Sequence, residues 1–140
     1  MMCPRNCWRL SSLVFENPHL LVQFIERIRA HGYHCSIDDF GSGYSSLNLL
    51  KDMNVNVLKL DRVFFASQEA DNARERTVIV SVIDLAKKLS MGTVAEGVET
   101  TRQVEFLQQA GCDMVQGYVF SRPVPLAEFE QMAFGREIAA

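Results

Sequence analysis

The chain has 140 residues, 48% of them hydrophobic and 22% charged, with a formal net charge of -3. That length fits one domain and one core, and it falls short of the roughly 200 to 250 residues of a complete eight-stranded (β/α) barrel. The acidic balance gives no global positive field for collecting phosphates, which argues against nucleic-acid binding.

The predicted elements run as follows. Residues 1–12 carry neither helical nor strand periodicity and are set apart as an atypical N-terminal segment. Asn17-Pro18 reads as a helix start, and Leu21, Phe24, Ile25 and Ile28 recur at helical spacing until Gly32. A strand over Cys35 to Phe40 is interrupted by Gly41-Ser42-Gly43, and a brief helix spans about Ser46 to Met53. Val55 to Leu60 reads as a strand, and Asn72 to Leu89 as a long helix with Val78, Val82, Leu85, Ala86 and Leu89 on one face. A third strand over Thr93 to Val98, a helix over Thr101 to Ala110 closed by Gly111, and a fourth strand over Met114 to Phe120 follow. A last helix runs from about Leu126 to Phe134, leaving 135–140 as a tail.

Strands alternating with helices imply a parallel sheet, so the class is α/β with about four βα units. No linker divides residues 16–134. Apolar runs such as Leu20 to Val22 are far below the roughly 20 residues of a spanning helix, and Arg5 and Arg9 precede no apolar signal core. A cytoplasmic location is the resulting expectation. Cys3, Cys7, Cys35 and Cys112 lack zinc-site spacing and read as reduced thiols, Cys35 and Cys112 buried beside strands.

Ligands of parallel α/β folds bind beyond the carboxyl ends of the strands. The first strand ends in Asp38-Asp39, the second reaches Lys59 and Asp61, the third ends in Glu96 with Glu99 just beyond, and the fourth carries Gln116. Adjacent carboxylates in a confined site repel unless a cation is nearby, so Asp38 and Asp39, with Glu96 or Glu99, suggest a hard divalent cation, Mg²⁺ or Mn²⁺. Lys59 would add a fixed positive charge for a phosphate or a water. Structural roles stand beside these: Asp39 as a loop cap, Glu99 as a helix-start carboxylate beside the N-cap Thr100, Asp61 paired with Arg62 or a neighbouring helix, and Lys59 paired with Asp61. Phe40, Tyr44 and Phe64 read as packing residues, and His31 and His34 as solvated.

Asp38-Asp39-Phe40-Gly41-Ser42-Gly43-Tyr44-Ser45-Ser46-Leu47, Leu58-Lys59-Leu60-Asp61, Ala95-Glu96-Gly97-Val98-Glu99-Thr100 and Gln116-Gly117-Tyr118 resemble, in order and spacing, the EAL-type cyclic di-GMP phosphodiesterase domain. The likeness runs from about Leu13 to Phe129 and covers the C-terminal half of that family's barrel, so the expected fold is a partial TIM-like (β/α) barrel over 13–134. The resemblance implies a bacterial hydrolase that opens cyclic di-GMP to pGpG with two Mg²⁺ or Mn²⁺ ions. Asp38 would bridge the ions, Asp39 would hold the second, and Glu96 would be a ligand and general base. Lys59 would orient the attacking water, Gln116 would hydrogen-bond near it, Glu99 and Asp61 would support the site, and the loop from Phe40 to Leu47 would couple metal binding to dimerisation.

Other family ligands are missing. The Glu-Ala-Leu strand, a strand with a metal-binding Asn, and a Glu-x-Thr-Glu strand have no counterpart here. Counting back from Glu16-Asn17-Pro18 puts the last motif's glutamates at Trp8 and Ser11, and no Asp or Glu occurs between Met1 and Phe15. The first metal site is therefore expected to be lost, leaving a truncated EAL-type domain that is weak or inactive alone. The alternative is a non-catalytic module for cyclic di-GMP binding, dimerisation or interaction, its open sheet edges covered by a second copy or an upstream barrel half. A receiver-like domain fails on order, since no strand with a further Asp lies between Asp39 and Lys59.

Overall fold

The computed structural model describes residues 7–10, 18–41, 47–65 and 72–135. Five strands form one sheet, all ladders parallel, in the order β1-β2-β3-β4-β5. They are β1 (Cys7–Leu10), β2 (His34–Phe40), β3 (Val57–Leu60), β4 (Gly92–Ala95) and β5 (Met114–Val115). The helices between and after them are α1 (Pro18–Ala30), α2 (Leu47–Asp52), α3 (Ala73–Lys88), α4 (Thr101–Gln109) and α5 (Leu126–Phe134), and a 3₁₀ turn, Arg62–Phe65, follows β3. Sequential order with helical crossovers is the (β/α) pattern that the sequence implies.

β1 is a correction to the sequence reading. Residues 7–10, Cys-Trp-Arg-Leu, have neither a β-branched residue nor a strict apolar–polar alternation, yet their backbone pairs with β2 from Cys7↔His34 to Leu10↔Ile37. β2 is buried on both faces through Cys35, Ser36, Ile37 and Asp38, as a central parallel strand is. Leu58 and Leu60 of β3, Ile79, Ile83 and Ala86 of α3, Ala95, Val98 and Leu107 complete the core around it.

Two helices turn differently from the predicted faces. In α1, Leu21 and Ile25 are buried while Phe24 is 46% exposed. In α3, Ile79, Ile83 and Ala86 point inward whereas Val78 and Leu89 are exposed. Both helices offer apolar residues on adjacent stripes, so periodicity alone leaves the rotation open by one position. Asn72, read from the sequence as the first residue of the helix, is its N-cap, its Oδ1 accepting the Glu75 amide at 3.2 Å. Cys35 is buried and Cys112 partly so.

Two of the predicted strands stop early. β4 ends at Ala95 because Gly97 adopts φ +70°. β5 keeps two residues because Gly117 turns the chain against the Val98 backbone, where any Cβ would collide. Among the described residues no helix is long and apolar enough to cross a membrane. None of α5 is buried, and Leu126, Phe129, Met132 and Phe134 are all exposed.

Candidate functional site

The carboxyl ends of β2, β3 and β4 meet at one ion cluster. Lys59 Nζ lies 3.0 Å from Asp38 Oδ1 and 2.6 Å from Glu96 Oε1, joining the ends of three adjacent strands. Asp38 is 1% exposed, and the side chains of Lys59 and Glu96 are 17% and 24% exposed. The cluster is therefore sealed on the β2 side and open to water beside Glu96. Burial alone would lower the Lys59 pKa, but hydrogen bonds and attraction from Glu96 and Asp38 outweigh it and hold the ammonium above its ordinary value.

Local backbone explains how two consecutive aspartates reach this edge. Successive residues of a regular strand point to opposite faces. The β2–β3 register slips between Ile37↔Leu58 and Phe40↔Leu60, which inserts one extra residue in β2. Asp39 takes φ +53°, a left-handed conformation that Asp tolerates better than most residues. The bulge breaks the strict alternation at the strand end where Asp38 and Asp39 stand.

The other sequence-predicted residues fall around this core. Lys59 pairs with Asp38 and Glu96 in place of Asp61. Asp61 Oδ1 accepts the Val63 amide at 2.9 Å and so starts the 3₁₀ turn, while Arg62 reaches Glu99 at 3.5 Å. Glu99 is exposed and directly precedes Thr100, the N-cap of α4. Gln116 is exposed beyond β5, its backbone N–H donating to Ala95 O at 2.8 Å and its backbone carbonyl accepting from Val98 N at 3.1 Å, which sets it beside the end of β4. Phe40 is buried and stands 5.9 Å from the Phe64 ring. Gly41 has φ +106°, and a Cβ there would run into Phe64. Ser42, Gly43, Tyr44 and Asn17, the last read from the sequence as part of a helix start, lie outside the described residues.

One contributor escaped the sequence reading. Gln103 forms a reciprocal capping box with Thr100 and also donates from Nε2 to Phe65 O at 3.2 Å. Its spelling, Thr100-x-x-Gln103, is a visible capping-box signal. The bond to Phe65 has no local signature.

The donor chemistry at the strand ends is carboxylate oxygen, which suits a hard divalent cation. The donors do not complete a site: among the described residues no group of three or more His, Cys, Asp or Glu could hold a metal ion. Asp38 and Glu96 thus offer part of an oxygen ligand set, with Lys59 lying between them.

Comparison with known proteins bears on this arrangement. Residues 10–123 match the EAL domain family. The chain is 46% identical over 110 residues to the cyclic di-GMP phosphodiesterase NbdA of Pseudomonas aeruginosa, covering 79% of this chain and 14% of that protein. It superposes on the crystal structure of the EAL domain of Mycobacterium smegmatis DcpA with a TM-score of 0.81 and 34% identity, covering 92% of this chain and 59% of that one. A manganese and cyclic di-GMP complex of Klebsiella pneumoniae BlrP1 is similar with a TM-score of 0.74 and 29% identity, over 84% of this chain and 30% of that one. The chain spans 14% to 23% of the length of curated relatives that it matches.

Proposed function

The chain belongs to the EAL domain family, and on that premise we propose that its strand-end cluster is part of a site for cyclic di-GMP, whose P–O3′ bond it hydrolyses to give linear pGpG. The observation that carries this reading is the Lys59 ammonium held between Asp38 and Glu96 at the ends of three neighbouring parallel strands. Asp38 and Glu96, with Asp39 next to Asp38 in the chain, would supply part of an oxygen ligand set for Mg²⁺ or Mn²⁺, the remaining ligands being water or groups outside the described residues. When bound, such ions lower the pKa of a water and neutralise charge developing on the phosphodiester.

The chain's own groups have distinct tasks in this proposal. Glu96, the more exposed carboxylate of the pair, accepts the proton of the attacking water. Lys59 keeps its charge throughout and orients that water or a phosphate oxygen. Gln116 hydrogen-bonds at the rim beside the end of β4, and Glu99 and Asp61 fix the flanking turns. The incomplete ligand set among the described residues supports slow turnover.

The same incompleteness favours a second reading, binding of cyclic di-GMP without hydrolysis. The exposed Leu126, Phe129 and Phe134 of α5 support a covering partner in either case, whether a second copy or further barrel. Incubation with cyclic di-GMP and Mn²⁺ followed by chromatography separates the two readings. The hydrolytic reading expects pGpG that disappears with Glu96→Gln. No pGpG above a protein-free Mn²⁺ blank overturns it and leaves the binding reading.

A further inference from the structure

The 3₁₀ turn that follows Lys59 touches the strand ends on either side of it. Toward β2, the Phe64 ring fills the space beside Gly41 and leans on Phe40. Toward β4, a Cβ on Gly97 would lie 2.8 Å from Arg62 Cβ, and Arg62 reaches Glu99 at 3.5 Å. That ion pair is exposed, with 67% and 54% of the two side chains in water, so it restrains the β4 turn weakly.

Gln103 supplies a stronger connection. Its Oε1 accepts from the Glu99 amide at 2.9 Å and the Thr100 amide at 3.1 Å, while its Nε2 donates to Phe65 O at 3.2 Å. Capping needs only the acceptor, and Glu serves at this position as well as Gln. The donor has no part in the cap and ties α4 to the turn beyond Lys59, across 38 residues of sequence. Between Glu96 and Glu99 lies Gly97 at φ +70°, the residue type that restrains its own backbone least. The Glu96 amide donates to Leu60 O at 2.9 Å and the Val98 amide to Gln116 O at 3.1 Å, so the strands hold the start of this turn and Gln103 holds its Glu99-Thr100 end.

We propose that Gln103 is a positioning residue whose carboxamide cross-ties Phe65 O, at the end of the Lys59 segment, to the Glu99-Thr100 turn after Glu96, and thereby holds Glu96 against Lys59. The inference rests on reading the strand-end cluster as the functional site, but its test does not require turnover. Gln103→Glu keeps the acceptor for both amides and replaces the donor by a carboxylate oxygen facing the Phe65 carbonyl. Gln103→Met removes both functions.

Solution NMR of the whole chain at neutral pH reads the nuclear Overhauser contact between the Lys59 Hε and Glu96 Hγ protons, together with the amide shifts of the α4 cap. The expected result is that both variants lose the contact, while Gln103→Glu keeps the cap shifts and unfolding midpoint of the unsubstituted chain. A contact that persists in Gln103→Glu, one absent from the unsubstituted chain, or one lost only as α4 itself unfolds overturns the proposal. With cyclic di-GMP and Mn²⁺, Gln103→Glu is expected to lower kcat about tenfold with little change in KM, the pattern of a misplaced reacting group. Absence of turnover in the unsubstituted chain counts against hydrolysis and leaves the NMR comparison to decide the role of Gln103.

Discussion

Lys59→Met removes the one ammonium that joins Asp38 to Glu96, and the cost follows from burial. Asp38 is 1% exposed, so its carboxylate would remain desolvated beside a second carboxylate with no cation between them. Breaking a buried pair by removing one partner costs about 3–5 kcal/mol. Water reaches the cluster on the Glu96 side, which places the expected loss near the lower end, about 3 kcal/mol. A domain of ordinary stability holds about 5–15 kcal/mol, so the variant should fold with a much reduced margin.

The pH dependence supplies the discriminating sign. In Lys59→Met the Asp38 carboxyl loses its counter-charge, and its folded pKa rises above the unfolded value of about 3.9. The folded variant then binds a proton more readily than the unfolded chain, and its deficit shrinks as pH falls toward about 5. In the unsubstituted chain, burial lowers the Lys59 pKa, but Glu96 and Asp38 raise it further, to a net position above 10.5. That contribution is fully present below the unfolded lysine value and is lost only as pH rises through the raised folded one. Urea unfolding followed by far-ultraviolet circular dichroism, in EDTA at several pH values, measures both effects. A variant within about 1 kcal/mol of the unsubstituted chain at neutral pH, or a deficit that does not vary between about pH 5 and 8, would refute the reasoning.

Other consequences are independent of metal and ligand. Thr93 is fully buried and joined to Asp113 by three hydrogen bonds of 2.8, 2.8 and 3.1 Å, two of which use its hydroxyl. Thr93→Val should therefore lose about 1–3 kcal/mol in chemical denaturation, and unchanged stability would show that water replaces the clamp. Gly41→Ala places a Cβ against the Phe64 ring at φ +106° and should cost at least about 1–3 kcal/mol, with the Phe64 ring resonances shifting in NMR spectra. Ile83→Ala, at a fully buried core position on α3, should cost about 2–5 kcal/mol, whereas Val78→Ala on the exposed stripe should stay within about 0.5 kcal/mol. Equal losses at Ile83 and Val78 would contradict the rotation of α3.

How far the sequence discloses this molecule depends on the range of each interaction. The order of strands and helices is legible because periodicity and Asn, Thr and Gly boundaries act over a few residues, as Asn72 and Thr100 show by capping the helices they precede. Asp38, Lys59 and Glu96 are legible as candidates because strand ends gather at one sheet edge, but the partner of Lys59 is not. Asp61 lies two positions away in the chain, yet Asp38 and Glu96 reach Lys59 through the parallel register. β1 is hidden because Cys-Trp-Arg-Leu has no β-branched residue and no strict alternation, and the rotations of α1 and α3 because adjacent stripes are both apolar. The tie from Gln103 to Phe65 is hidden for a similar reason: a backbone carbonyl as acceptor leaves no trace in residue type.

Calorimetric titration of cyclic di-GMP into the chain with Mn²⁺ present tests the central claim most directly, because both the hydrolytic and the binding readings place the ligand on the strand-end cluster. The account predicts saturable single-site binding that weakens about tenfold or more in Glu96→Gln, in line with loss of a charged contact of about 1.4 kcal/mol or greater. No heat of binding, or an affinity indifferent to Glu96→Gln, would contradict it.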